Sequence, residues 1–237
     1  EHLELAAVIH QYAIDKDGLQ FKGRSHVVEP DPSIKPDRVL RIARIRWNGN
    51  WDPEPGGWRQ LAARMHNDDR ITLHVESVLP PTDSVAGFDF AHLTGTGVIP
   101  RDAGFASQLA AFVRAGGRLL VDAAGGDSAF ASSVEALLKD AFPADASQLD
   151  VPLAHNHHLF VDASNRPITI DYRPFARARV GGALDTHRLR GITLDGRLAV
   201  VYSREDLSAG LVGQPVDGVL GYTPETAHQI VRRLLRN

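Results

Sequence analysis

Apolar residues recur with two alternating periods from Val39 onward. The stretch "VLRIARIRW" alternates as a strand does, and Trp58, Leu61, Ala62 and Met65 then fall on one helical face. Strand signals return in "ITLHVESV" and in "FDFAHLTGTG". Between Ala103 and Gly116, the residues Phe105, Leu109, Phe112 and Val113 share one side of a helix, which Gly116 and Gly117 stop. "GRLLVDA" is a continuous apolar strand. Phe130, Val134, Leu137, Leu138 and Ala141 then line one face of a helix that ends at Pro143. Strands separated by helices of this length predict a mainly parallel sheet with helices on both faces. The strands starting near Val39, Ile71, Phe90 and Gly117 should run parallel in it, because each connection is long enough to return to the same edge.

Near the end, "GITLDGRLAVVYS" carries Asp195-Gly196 between two apolar runs, a β-hairpin signal. Thr223 then reads as an N-cap with Pro224 at the first helical position, and Ala227, Ile230, Val231 and Leu234 make one face of a closing helix. Residues 1–36 differ. Leu5, Val8, Ile9 and Tyr12 have the spacing of a short amphipathic helix, and "EPDPSIKPD" reads as a proline-stiffened linker. The expected organisation is an N-terminal arm, 1–36, and an α/β domain, 37–237.

Composition narrows the function classes. The 237 residues are 43% hydrophobic and carry a net charge of -3, enough chain for one sizeable core and no basic excess of the kind nucleic-acid domains show. The arginine-rich stretch from Arg173 to Arg179 alternates with apolar residues; it reads first as a solvated loop and second as an anion-binding segment. There is no cysteine, so disulfides, zinc–thiolate sites and thiol nucleophiles are excluded. No apolar run approaches the ~18 residues of a membrane span. The start at Glu1 rather than a methionine suggests a trimmed or processed chain from which a signal or anchor could have been removed.

The ordered blocks "RIRW", "HLTGTG", "GGRLLVDAAGGDSAF", "HNHHLF", "GITLDGRLAVVYSREDL" and "GYTPETA" resemble the bacterial domain-of-unknown-function family 4159, placed in the class I glutamine amidotransferase-like superfamily. The resemblance runs from about Val39 to the C-terminus. It implies a flavodoxin-like doubly wound sheet and no assigned reaction. Members of the family are often secreted or joined to membrane-anchored regions, which implies a periplasmic or envelope-associated location, with the cytoplasm as the alternative.

Glutamine amidotransferases present a cysteine at a strand-to-helix elbow. The corresponding turn here offers Asp122, Ala123, Ala124, Gly125, Gly126 and Asp127, so the elbow lacks its nucleophile and glutaminase activity is expected to be absent. Ser128 partly mimics a G-x-S-x-G elbow, but Phe130 stands where the second glycine is needed, and Asp127 or Ser128 reads better as a helix cap. Gly125 and Gly126 could aim backbone N–H groups at an anion, which Asp127 would repel. Asp122 ends an apolar strand at the carboxyl edge, where open α/β sheets place ligands; it is either functional or paired with a base such as Arg197.

His155, His157 and His158 lie within four residues. On an extended segment His155 and His157 would point the same way and, with Asp122 or Asp206, could hold a divalent metal, the one cofactor these donors suggest; otherwise none is expected. His157 aligns with the family's histidine and is expected to face the crevice. Ser203 and Asp206 belong to a loop that suits closure over the same edge, and Thr94 and Gly95 end a strand where a ligand could approach the backbone. The expectation is a non-catalytic ligand-binding or interaction domain, serving a larger envelope-associated protein. Its partner would be a small molecule or a protein, with no nucleic acid and no membrane span in this chain. The alternative is a hydrolase using a metal, or Ser128 with His157.

Overall fold

The computed structural model describes residues 27–80, 82–161, 164–214 and 216–237. The helix expected around Leu5 to Tyr12 lies outside the described residues. Six strands form one sheet: β1 (Arg38–Ile45), β2 (Ile71–Val78), β3 (Phe90–Gly95), β4 (Arg118–Ala123), β5 (Arg190–Leu194) and β6 (Arg197–Ser203), in the order β2-β1-β3-β4-β6-β5. All pairs are parallel except β5 with β6. The four strands expected to be parallel are so. The fold is flavodoxin-like, with β6 as the fifth parallel strand and β5 added as an antiparallel edge.

Four helices cover the sheet, and each follows from its sequence. α1 (Gly56–Asp69) and α6 (Pro224–Arg236) pack on one face, where Trp58, Leu61, Ile230 and Leu234 meet Ile42, Leu120 and Val201. α2 (Ala103–Arg114) and α3 (Ser128–Ala141) pack on the other, where Phe105, Phe130 and Leu137 meet Leu93, Val121 and Tyr202. β3 is buried along its whole length because both faces are covered, which is why it reads as a continuous run. Each fully buried large side chain stabilises by ~1.5–3 kcal/mol, so the two cores, more than helix propensity, hold the layers together. Two further helical turns, α4 (Pro174–Arg177) and α5 (Ser208–Leu211), lie in the C-terminal half.

Local chemistry sets the element ends. Asp195 and Gly196 both have positive φ, 48° and 76°, as a type I′ hairpin turn between β5 and β6 requires. Thr223 precedes α6 in extended conformation and its side chain accepts from Thr226 N, with Pro224 in the first turn. Glu225 in that first turn and Arg233 and Arg236 in the last complement the helix dipole. Residues 27–36 run along α1: Val28 N donates to Gln60 Oε1 at 3.0 Å and Asp31 N to Asn67 Oδ1 at 2.8 Å. No helix among the described residues is long and apolar enough to cross a membrane.

Strand order reverses between β1 and its neighbours β2 and β3. In such sheets a crevice opens outside the carboxyl ends of the strands, here near Ile45, Gly95, Ala123 and Ser203.

Candidate functional site

Parallel register places Thr94 beside Asp122 and Asp122 beside Ser203 at the carboxyl ends of β3, β4 and β6. Alternation along β3 then puts His92 on the same face as Thr94, toward α1. Trp58 of α1 donates its Nε1–H to His92 Nδ1 at 2.9 Å, and His92 Nε2 lies 2.6 Å from Asp122 Oδ1. These two contacts fix the chemistry of the ring. Because Nδ1 accepts from an indole that can only donate, the imidazole proton is on Nε2 and points at the carboxylate. The other carboxylate oxygen, Oδ2, accepts from Leu207 N at 3.0 Å and Ser208 N at 2.9 Å, holding the start of α5. Ser208 Oγ lies 3.0 Å from Asp122 Oδ1 and 3.2 Å from Thr94 Oγ1, and Thr94 Oγ1 donates to Asp122 O at 2.8 Å.

The network is sealed, with Asp122 0% and His92 1% exposed. Burial pushes the His92 imidazolium down, and the bond to Asp122 only partly opposes it, so the ring is neutral at neutral pH. Burial alone would raise Asp122. The His92 proton and the Leu207 and Ser208 N–H groups outweigh burial and hold the carboxyl below its usual range. A carboxylate sits between histidine and serine, whereas a nucleophilic triad needs the histidine between them. Ser208 therefore has no imidazole base.

Asp206 is the second buried carboxylate. Its Oδ2 accepts from Gly125 N at 2.6 Å and its Oδ1 from Ala209 N at 2.9 Å. Burial and the negative charge of Asp122 push its pKa up to about 7, against those two N–H groups and the more distant Arg173 guanidinium. The elbow after β4 is thus tied to the loop after β6 through Asp206. Gly125 and Gly126 supply positive φ, 65° and 75°, and a Cβ on Gly126 would lie 2.5 Å from Leu220 Cβ. Asp127 caps α3: its Oδ1 accepts from Phe130 N at 2.7 Å and from Gly97 N at 3.1 Å. Ser128 is exposed and begins the helix, so of the two expected caps it is Asp127 that acts.

Beside the elbow lies an open cleft of about 590 Å³. Gly126 and Ser128 form its rim at the start of α3; Arg179, Arg188, Arg190 and Arg204 line it, with His155, His187 and Glu205 among the other wall residues. Burial, with His155 nearby, pushes His187 down to about 4, and burial pushes Glu205 up. A larger hollow of about 890 Å³ lies at the amino ends of the strands. Its arginines already serve the fold: Arg197 donates to Val113 O and Gly117 O, Arg118 to Leu234 O and Arg38 to Arg236 O, at the carboxyl ends of α2 and α6. The smaller cleft, at the carboxyl edge beside β4, β6 and β5, is the better candidate.

Several sequence expectations are redistributed. Arg197 is not the partner of Asp122: it opens β6 and therefore sits at the opposite edge of the sheet, while His92 takes that role. Gly95 is covered rather than open to a ligand, since a Cβ there would lie 2.4 Å from Asn50 O and 2.7 Å from the Trp47 ring. Ser203 donates its hydroxyl to Glu205 O at 2.7 Å. His157 starts a 3₁₀ turn (His158–Phe160), so strand alternation does not apply; its Nδ1 faces Leu159 N at 3.3 Å and its ring lies against His158. His155 instead packs edge-on to His187 in the cleft wall. Neither histidine joins Asp122 or Asp206, and no three His, Asp or Glu residues gather as metal ligands among the described residues. His92 and Ser208 escaped sequence reading, and Trp58 was read only as part of an apolar helical face. The signal for His92 was a lone histidine inside the apolar strand that precedes Thr94.

Residues 41–234 match the family model described as Domain of unknown function (DUF4159), and the chain belongs to that family. No curated protein matches it.

Proposed function

We propose that this DUF4159 domain binds a ligand at the carboxyl edge of its sheet without transforming it, on an amidotransferase-like scaffold that has lost its nucleophile. One observation carries the reading: the histidine and carboxylate at that edge hydrogen-bond each other and the fold, leaving no ring nitrogen of His92 free to accept a proton from a substrate or serine. Beside this closed network lies an open cleft with charged and apolar walls. The glycine elbow after β4 supports the amidotransferase-like scaffold, and the lack of any thiol in the chain supports the loss of its nucleophile. The resemblance to secreted and anchored proteins supports a role inside a larger envelope-associated protein, where the occupant is a small molecule or a partner's side chains.

The test is a broad screen of esters, amides and phosphoesters, with and without divalent metals, paired with a serine-directed fluorophosphonate read by intact mass. The proposal expects no turnover and no adduct. Reproducible turnover abolished by His157→Ala, or stoichiometric labelling of Ser128, would replace it with a hydrolase.

A further inference from the structure

We propose that the cleft is a site for a small molecule carrying an oxyanion, phosphoryl or carboxylate, on an apolar body, with Arg179 and Arg188 as the recognising cations. The inference deepens the binding function proposed above and rests on it. Four guanidinium groups line one cleft of about 590 Å³, a size typical of small-molecule sites. Two of them are neutralised from behind. Arg204 holds Glu135 through two bonds of 2.6 Å, and Arg190 approaches the same carboxylate at 3.5 Å and Leu149 O at 3.1 Å.

Arg179 and Arg188 form no ion pair among the described residues. Each is nonetheless held in place. The Arg179 guanidinium stacks 3.5 Å from the centroid of the Phe175 ring and donates to Phe175 O, and Arg188 donates to Gly181 O. A planar guanidinium fixed on one side keeps its remaining N–H groups aligned for a two-oxygen anion, with less entropy to lose on binding. Glu205 in the same wall is the nearby counter-charge to Arg188, Arg190 and Arg204, and burial pushes its pKa up, which weakens that compensation and leaves the cleft's arginines with charge for a bound oxyanion to answer.

A second observation comes from the same wall. Glu205 is 8% exposed and lines the cleft, yet its Oε2 has no hydrogen-bond partner. A buried oxygen left this way costs ~1–3 kcal/mol unless something donates to it. A hydroxyl or ammonium on the ligand body would do so. Ala131, Val180 and Leu220 supply apolar wall, and Gly126 and Ser128 bring the amino end of the 14-residue helix α3 to the rim.

Calorimetric titration with phenyl phosphate, phenylacetate and neutral phenylacetamide tests the inference. Saturable binding of one or both anions is expected, the two arms separating phosphoryl from carboxylate preference, with no binding of the amide. Affinity should fall about tenfold in exposed Arg179→Ala, the effect of one lost charge-assisted hydrogen bond, and further in Arg179→Ala/Arg188→Ala. Arg41→Ala/Arg101→Ala, with the same change in net charge, should bind as the parent does. No binding of either anion, or equal losses in both double variants, would overturn the oxyanion assignment. Binding of phenylacetamide as tight as of the anions would overturn it too, while leaving a ligand cleft standing. Release of phenol from phenyl phosphate would instead refute the non-catalytic function and leave oxyanion recognition intact.

Discussion

Replacing Asp122 by asparagine exchanges one carboxylate oxygen for an NH2 group and removes one charge, so its cost can be worked from the donors that surround it. Oδ2 faces Leu207 N and Ser208 N; Oδ1 faces His92 Nε2 and Ser208 Oγ. An amide offers one oxygen. If it takes the Oδ2 position, the amide N–H groups confront the His92 Nε2 proton, which cannot move to Nδ1 because Trp58 donates there. If it takes the Oδ1 position, they confront two backbone N–H groups. Either way at least one fully buried donor loses its acceptor, at ~1–3 kcal/mol, and the surviving bonds fall from charge-assisted to neutral strength. Relief from burying the charge offsets part of this, but the four donors that compensated it remain in place. The expected loss is ~2–4 kcal/mol in urea or guanidinium unfolding, with an unchanged slope against denaturant. A loss below ~1 kcal/mol, or a gain, would mean that Asp122 is not the ionised acceptor organising this edge.

Other perturbations separate the roles assigned around it. Asp127→Ala should destabilise by ~0.5–2 kcal/mol through loss of the α3 cap, while Ser128→Ala at the exposed next position should stay within ~0.5 kcal/mol; chemical denaturation of both decides which residue caps. Trp58→Phe should free His92 Nδ1 and raise the ring's pKa, seen as a histidine that begins to titrate in NMR spectra. Asp206, raised from 3.8 to about 7, contributes stability that is fully present below its unfolded pKa and lost as pH climbs through about 7. His187 and His228, lowered to about 4, act oppositely: their contribution is present above 6.5 and lost as pH falls toward 4. The Asp206 share is therefore read as a difference, and Asp206→Asn should gain stability relative to the parent as pH rises through that window. A flat difference would place Asp206 in an ordinary, solvated environment.

The layer order was legible because side-chain period and connection length are local properties. β1, β3 and β4 announce themselves by alternation or continuous apolar runs, and Asp195-Gly196 specifies its own turn. Asp122 was conspicuous as a carboxylate closing an apolar strand. Its partner was not, because Trp58, His92 and Asp122 are separated by 34 and 30 residues and meet only once α1 lies across the sheet. Strand polarity would have excluded Arg197: a residue that opens a strand parallel to β4 cannot reach the residue near β4's end. Asp127 and Ser128 both suit a cap, and only the backbone choosing Asp127 as its last extended residue, at φ -62° and ψ 116°, separates them. The cleft was hardest to foresee. Arg179 and Arg188 come from the long loop between α4 and β5 and Arg204 from the loop after β6, and the second reading of the arginine-rich stretch, as an anion-binding segment, is the one the proposed ligand revives.

The central claim is that His92 is a structural donor with no free nitrogen, which makes this edge a place for binding rather than proton transfer. Nitrogen-15 NMR of the imidazole ring across pH ~5 to ~8 tests it most directly. The account predicts one neutral tautomer throughout, protonated at Nε2 and bare at Nδ1, with shifts that do not move with pH. A ring that titrates near neutrality, or that carries its proton on Nδ1, would contradict it and make His92 a candidate base.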